Sequence, residues 1–271
     1  MRNQPKAEQT GSVRRLYVDI ETSPMMVYSW RIGRKIDLSH DNIIREPAII
    51  CICYKWEGQP VQSLTWDREQ CDKAMLAKFI KVLTQADEVI GHNGDRFDLP
   101  WIRTRCFYHG IRIDHQLPSV DTLKQARRGF NFPSNRLDYL GKYMGVGRKK
   151  ETGGFGLWKG VMDKDGKALR LMVDYCKQDV ELLERVHHKL YAYAKPTTHV
   201  GVANGGYKHW CQRCGGGNVK MNGDTYVTSH GIEMGSVLCK DCGTKRRMSK
   251  AMIQREVNRQ RNAERRAKGI A

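Results

Sequence analysis

The sequence predicts an α/β fold, a mixed β-sheet flanked by helices, followed by a small cysteine-bearing unit and a basic tail. Three observations carry this expectation. Strand-like runs come first and then alternate with helical segments, the order of a mixed sheet with helices packed on it. Two carboxylates, Asp19 and Glu21, interrupt the first apolar run. Two Cys-x-x-Cys pairs stand near the C-terminus with 24 residues between them.

Residues 1–12 read as a polar, flexible arm. The apolar patterning that follows predicts strands over residues 14–20, 48–56 and 61–66, with a further extended stretch over 25–31. A helix is expected over 67–84, a short buried strand over 88–92, a helix over 99–108 and another short strand closing at Val120. Helices over 122–128, 136–144 and 168–194 follow. Between Gly145 and Lys167 the pattern lapses into a glycine-rich, basic stretch with Phe155 and Trp158. That stretch is expected to be a mobile loop, either a plain surface loop or one that touches a phosphate backbone through Lys149, Lys150 and Trp158. Lys195-Pro196 ends the long helix and begins a linker.

The chain has 271 residues, 40% of them hydrophobic, enough for one substantial core and a small appendage. Its formal net charge of +18 points to a polyanionic partner, nucleic acid first. The excess is greatest late in the chain, where residues 197–271 hold 14 Lys/Arg against 5 Asp/Glu. No run approaches the roughly 20 apolar residues that cross a bilayer, so no membrane partner is expected. The N-terminal residues from Met1 to Gln9 are polar and contain no apolar signal segment. The cysteines therefore read as reduced and intracellular. Cys51, Cys53, Cys71, Cys106 and Cys176 lie in apolar or helical contexts and read as small packed side chains.

A strand aims side chains two apart at the same face, so Asp19 and Glu21 share a face. Burying two charges in an apolar strand is costly unless something neutralises them. Asp-x-Glu alone is weak, since a second copy, Asp67-Arg68-Glu69, follows Trp66 in the pattern of a helix cap. Asp98 comes after the buried strand ending at Ile90, at the edge where α/β sheets place ligands, but taken alone it reads as a cap of the helix it opens. Asp121, at another strand end, reads as a structural cap. Tyr175 and Asp179 stand four apart in a helical segment, beside the apolar stripe of Leu171, Met172, Leu182, Leu183 and Val186. If the fold brings strand and helix together, three carboxylates and a phenol converge, a cluster suited to divalent cations and metal-dependent phosphoryl chemistry.

In order and spacing, Asp19-Ile20-Glu21-Thr22, Asn93-Gly94-Asp95-Arg96-Phe97-Asp98 and Tyr175-Cys176-Lys177-Gln178-Asp179 resemble the three exonuclease motifs of the DnaQ-like (DEDD) superfamily of 3′→5′ exonucleases, in the subgroup with tyrosine in its third motif. The similarity covers residues 13–196 and is greatest to the proofreading-type domains of family B DNA polymerases and their stand-alone phage and bacterial relatives. It implies an RNase H-like fold, with a five-stranded mixed sheet flanked by helices. It also implies hydrolysis of terminal phosphodiester bonds at single-stranded DNA 3′ ends, releasing nucleoside 5′-monophosphates, with RNA as the alternative substrate. Asp19 would bridge two Mg²⁺ or Mn²⁺ ions, Glu21 and Asp179 would complete one, and Asp98 would hold the second partly through water. Tyr175 would orient the attacking water. Thr22, Met25, Asn93 and Phe97 would contact the substrate. Such a protein would work in replication, repair or recombination, in the cytoplasm of a bacterial or phage-infected cell.

Cys211, Cys214, Cys239 and Cys242 each lie in a tight, glycine-followed turn, and four thiolates at tetrahedral geometry describe a structural zinc site. The gap between the pairs slightly exceeds the usual ~15–20 residues, and β-hairpin material over 218–227 fills it. A unit of about 40 residues builds little core, so the metal is expected to hold it folded. Residues 205–246 resemble a zinc ribbon, a module that grips nucleic acid or a partner such as a polymerase or other replication protein. In the tail, 247–271, Arg259, Arg261, Arg265 and Arg266 leave little apolar face, so helix is expected there only against a partner.

Overall fold

Leu16, Tyr17, Val18 and Ile20 are all buried, so the strand that carries Asp19 and Glu21, Arg15–Thr22 (β1), has packing on both faces. In the computed structural model, which describes residues 13–33, 35–113, 118–148 and 154–269, β1 is the central strand of five. Two short strands, Met26–Val27 (β2) and Ile43–Arg45 (β3), pair with each other outside that sheet. The sheet itself continues with Ile49–Trp56 (β4), Gln62–Thr65 (β5), Glu88–Gly91 (β6) and Ser119–Asp121 (β7), in the spatial order β5-β4-β1-β6-β7. β4 runs antiparallel to both β1 and β5, whereas β1, β6 and β7 are parallel. The mixed sheet expected from the sequence is thus present, with helices on both faces.

The helices are Lys73–Leu83 (α1), Asp98–Tyr108 (α2), Thr122–Gly129 (α3), Leu137–Tyr143 (α4), Phe155–Met162 (α5) and Gly166–Tyr191 (α6). Period-two alternation along β1 sorts its side chains between them. Leu16, Val18 and Ile20 join Met75, Leu76, Phe79 and Ile102 of α1 and α2 in one core. Tyr17 faces the other way, into a core with Cys51, Cys53 and the α6 residues Met172, Cys176, Val180 and Leu183. Asp19 and Glu21 follow Tyr17 at steps of two, which directs them to the α6 side. A buried carboxylate ties the first face together: Asp72 accepts from the Ile49 amide (2.9 Å), Arg105 Nε (2.8 Å) and Arg105 Nη2 (2.9 Å), and pairs with His109 Nε2 at 2.6 Å. Burial alone would raise its pKa, but Arg105, the Ile49 amide and His109 outweigh that and lower it.

Several elements differ from the sequence expectation. The stretch 25–31 is a strand only at β2, and Tyr28, Trp30 and Ile32 beyond it are exposed. The helix expected from residue 67 begins at Lys73. Asp67 does not cap it: its Oδ1 accepts from the amides of Glu69 and Cys71, each at 2.9 Å, in a preceding turn where Gln70 takes a left-handed φ of 60°. The expected loop 145–167 contains α5, whose Leu157 and Val161 are buried one turn apart. Glycines on either side masked that short apolar repeat. Lys149 and Lys150, like the arm 1–12, lie outside the described residues.

The chain from Pro196 forms a second compact unit. It contains Val200–Ala203 (α7), three antiparallel strands in the order β10-β9-β8, and a closing helix; the strands are Val219–Val227 (β8), Glu233–Cys239 (β9) and Lys245–Ser249 (β10). Within 218–227 the residues from Val219 on form one strand, and the hairpin is made by β8 with β9. The expected boundary at 246/247 falls within β10. The tail is helical as Lys250–Ala267 (α8), capped by Ser249 and packed through Ile253 and Val257 on Val219, Val237 and Met248 of the same unit. Two apolar residues four apart seat its first half on the strands of the same unit.

One buried histidine contributes to the acid response of the first unit, beside carboxylates such as Asp72. Tyr17 Oη lies 2.8 Å from His187 Nδ1, and burial first, then the charges of Arg15 and His188, bring the imidazole of His187 down to about 3. The unfolded chain takes up this proton at about pH 6.5. Stability that depends on neutral His187 is therefore complete above pH ~6.5 and is lost as the pH falls toward about 3, on the order of 2 kcal/mol by pH ~5. Urea unfolding of His187→Gln at neutral and mildly acidic pH is expected to show a smaller acid-induced loss than the parent chain. Equal losses would place the acid sensitivity elsewhere.

Candidate active site and cysteine centre

β1 holds Asp19 and Glu21 opposite Cys53 and Cys51 of β4. Directly opposed residues of an antiparallel pair share a face, so two carboxylates and two thiols form one patch under α6. Cys176 of α6 inserts there, its Sγ 3.4 Å from the Asp19 carbonyl oxygen and 3.5 Å from Asp19 Oδ2. Burial pushes the Cys176 thiol up, so it remains a protonated donor to Asp19. One turn further along α6 the chain reaches Asp179, which is 2% exposed in this otherwise apolar surrounding. Carboxylate oxygens of Asp19, Glu21 and Asp179 all lie within 4.8 Å of one another. Tyr175, half-buried, precedes Asp179 by one turn of the same helix.

Asp98 enters from α2. Phe97 holds the N-cap position without a side-chain cap, and Asp98 does not cap the helix either. Its Oδ1 instead accepts from the amide of Ile20 at 3.1 Å, between the two β1 carboxylates in the chain. In the preceding loop two glycines bring the backbone close to itself: a Cβ on Gly91 would stand 3.0 Å from Gly94 Cα, and one on Gly94 would stand 3.1 Å from Gly91 Cα. Asn93 takes a left-handed φ of 67°, its amide donates to Asp121 Oδ1 (3.0 Å), and its carbonyl accepts from the amides of Arg96 and Phe97. Asp121 also accepts from the amide of Leu123 at 2.9 Å, the structural cap expected of it.

The remaining candidates flank this patch. Trp158 of α5 donates through Nε1 to the Thr22 carbonyl at 3.0 Å, which fastens the end of β1 beside Glu21. Met25 and Phe97 are 49% and 37% exposed, and Phe97 sets its ring edge-on to Trp101. In the sequence Cys51, Cys53 and Cys176 read as plain packed residues, and the support they give Asp19 and Glu21 is visible only in the fold. The two-residue spacing of Cys51 and Cys53 was the available signal, since it puts both on one face of β4. The oxygen-only donor set of Asp19, Glu21, Asp98 and Asp179 fits hard divalent cations such as Mg²⁺ or Mn²⁺.

In the second unit Cys211 and Cys214 meet Cys239 and Cys242, all four sulfurs within 4.8 Å of one another. The pairs Cys211–Cys242 and Cys214–Cys239 each have sulfurs 3.6 Å apart. Tetrahedral ligation at a Zn–S length of about 2.3 Å requires sulfurs about 3.8 Å apart, so the set is compatible with zinc in a zinc ribbon. The Arg213 amide points to Cys211 Sγ at 3.4 Å. A Cβ on Gly216 would meet Asp241 Oδ2 at 2.2 Å, so a side chain there would displace the Asp241 carboxylate.

Among the described residues no helix is long and apolar enough to cross a membrane. A search of curated proteins finds none that matches the chain. The structure of the family B DNA polymerase from the hyperthermophilic archaeon Pyrobaculum calidifontis superposes with a TM-score of 0.51 over 71% of this chain, at 16% identity, and the match takes in 27% of the polymerase. That likeness is one of fold, and the chain spans about a quarter of the polymerase's length. A family model described as the RNase H superfamily matches residues 45–191, which include Asp98, Tyr175 and Asp179 and leave Asp19 and Glu21 just outside. With a sheet of this order, helices on both its faces and carboxylates gathered from β1, α2 and α6, the chain has an RNase H-like fold and belongs to the RNase H superfamily, a superfamily of nucleic-acid nucleases.

Proposed function

We propose that the chain is a metal-dependent 3′→5′ exonuclease that trims single-stranded DNA ends to nucleoside 5′-monophosphates. The observation that carries this is the convergence of Asp19, Glu21 and Asp179 within 4.8 Å, with Asp98 tied to the Ile20 amide and Tyr175 one turn from Asp179. Asp19, Glu21, Asp98 and Asp179 are the residues that would hold two divalent cations. Such ions stabilise charge on the attacking and leaving oxygens of an in-line displacement.

The chain's own groups have separable tasks. Tyr175, whose phenol ordinarily has a pKa of about 10, is suited to orienting a water molecule by hydrogen bonding rather than to taking its proton. Thr22, Met25, Asn93 and Phe97 lie where β1 and the loop before α2 end, and they would receive the terminal nucleotide. Met25 and Phe97 offer exposed apolar surface to a base. Trp158 acts on the substrate indirectly, by fixing Thr22. The basic second unit would hold the polymer, and the four cysteines would hold one structural zinc ion that keeps this unit folded.

Oligonucleotides labelled at the 3′ or the 5′ end test the reaction. Mononucleotide release from the 3′ end is expected with Mg²⁺ and not when Mg²⁺ is simply left out; chelators are avoided because they would also strip the cysteine site. Asp19→Asn is expected to lose at least about 100-fold in rate, and Tyr175→Phe about 100-fold with little change in KM. Internal cuts alone, or an active Asp19→Asn, would overturn the assignment, and preference for RNA over DNA would move it to an exoribonuclease. Metal analysis is expected to find one zinc per chain, lost in Cys239→Ser together with protection of the second unit from protease. A disulfide-bonded, zinc-free protein would refute the ribbon.

A further inference from the structure

One side of α8 is spoken for. Ile253 and Val257 sit on the strands, Glu256 accepts from the Lys208 amide at 3.1 Å, and Gln260 accepts from Trp210 Nε1 at 3.5 Å. At 100° per residue, Arg255, Asn258, Arg259, Asn262 and Arg266 fall in one stripe on the opposite side. All five are exposed, and together they line a single surface. No carboxylate stands in the stripe. Glu256 approaches Arg259 at 3.8 Å from the packed side, and Glu264 lies on that side also, accepting from Gln260 Nε2 at 2.8 Å.

An ordinary solvated helix face mixes Lys, Glu and Gln. Here two asparagines, poor helix formers, occupy exposed interior positions where packing does not require them. A patch that only neutralised phosphates would need arginines and no asparagines. Arg and Asn together are the side chains that make bidentate bonds to guanine and adenine edges in the major groove of B-DNA, a groove about 12 Å wide that admits a helix. No member of the stripe is aromatic, and the Tyr207 ring that Arg259 approaches at 5.9 Å is half-buried, so the stripe lacks the run of exposed rings that single strands stack on. The major groove of duplex RNA is too deep and narrow for side chains to read.

We propose that this face of α8 lies in the major groove of double-stranded DNA, with Asn258, Asn262, Arg255 and Arg259 at base edges and Arg266 at a phosphate. The choice of DNA rests on the exonuclease proposal above; the groove, the duplex and the reading residues go beyond it. From Arg255 to Arg266 the stripe is about 16 Å long, which spans four to five base pairs at ~3.4 Å each.

The test uses the full chain without Mg²⁺ and without chelator, so that binding is read with no hydrolysis. Selection from a pool of random DNA duplexes is expected to enrich a common sequence of roughly four to five base pairs. N258A/N262A, which improves helix propensity, is expected to abolish the enrichment and to lower affinity for the selected duplex about tenfold. R266A is expected to weaken binding to all duplexes alike and to reduce the slope of log affinity against log salt by about one. A pool that emerges unenriched, or equal competition by single-stranded DNA or duplex RNA, would overturn the proposal. Enrichment by a chain that fails the nuclease assay would leave α8 as a DNA reader and refute only the hydrolysis; active trimming without enrichment would do the reverse.

Discussion

Three carboxylates with oxygens inside 4.8 Å repel one another, and the first unit is organised around holding them there. Two unit charges about 4 Å apart interact by about 4 kcal/mol at an effective dielectric of about 20. Flexible supports would relax away from such a field. Asp19 and Glu21 therefore sit on the central strand, paired with β4 on one side and β6 on the other. Asp179 sits on a 26-residue helix anchored by Met172, Cys176, Val180, Leu183 and Leu190. Asp98 is held by a backbone amide of that same strand. Each acid is fixed by an element whose packing lies elsewhere, which is how a site of like charges is kept in order.

Much of this was legible before the structure, because two periodicities survive in the sequence. The two-residue step from Tyr17 to Asp19 to Glu21 and the four-residue step from Tyr175 to Asp179 each define a face without tertiary information. What could not be read depended on contacts between distant residues. Asp98 resembled a helix cap because its bond to the Ile20 amide spans 78 positions. α5 was hidden because Leu157 and Val161 lie among glycines, whose local preference is for turns. α8 read as unsupported because Ile253 and Val257 are outnumbered by arginines, although two well-placed apolar residues seat it on β9 and β10.

The two clusters are chemically orthogonal. Oxygen donors from β1, α2 and α6 suit hard cations with exchangeable ligands, whereas four thiols in closed turns suit a soft, tightly kept ion. A third environment, within the first unit, is the buried trio Cys51, Cys53 and Cys176, whose sulfurs also approach within 4.8 Å. Enclosed in the α6 core, with the Cys176 thiol held protonated by burial, the trio acts as packing and as a hydrogen-bond donor to Asp19.

The acid cluster is also a late arrival during synthesis. Asp19 and Asp179 are 160 positions apart, and the ribosome adds residues in order. At about 5–20 residues per second the interval is roughly ten to thirty seconds, during which β1 can pair while its site lacks the α6 acid. Until the α6 segment has emerged and docked, β1 carries Asp19 and Glu21 without Asp179, so the three-acid cluster is completed only after most of the first unit has been made.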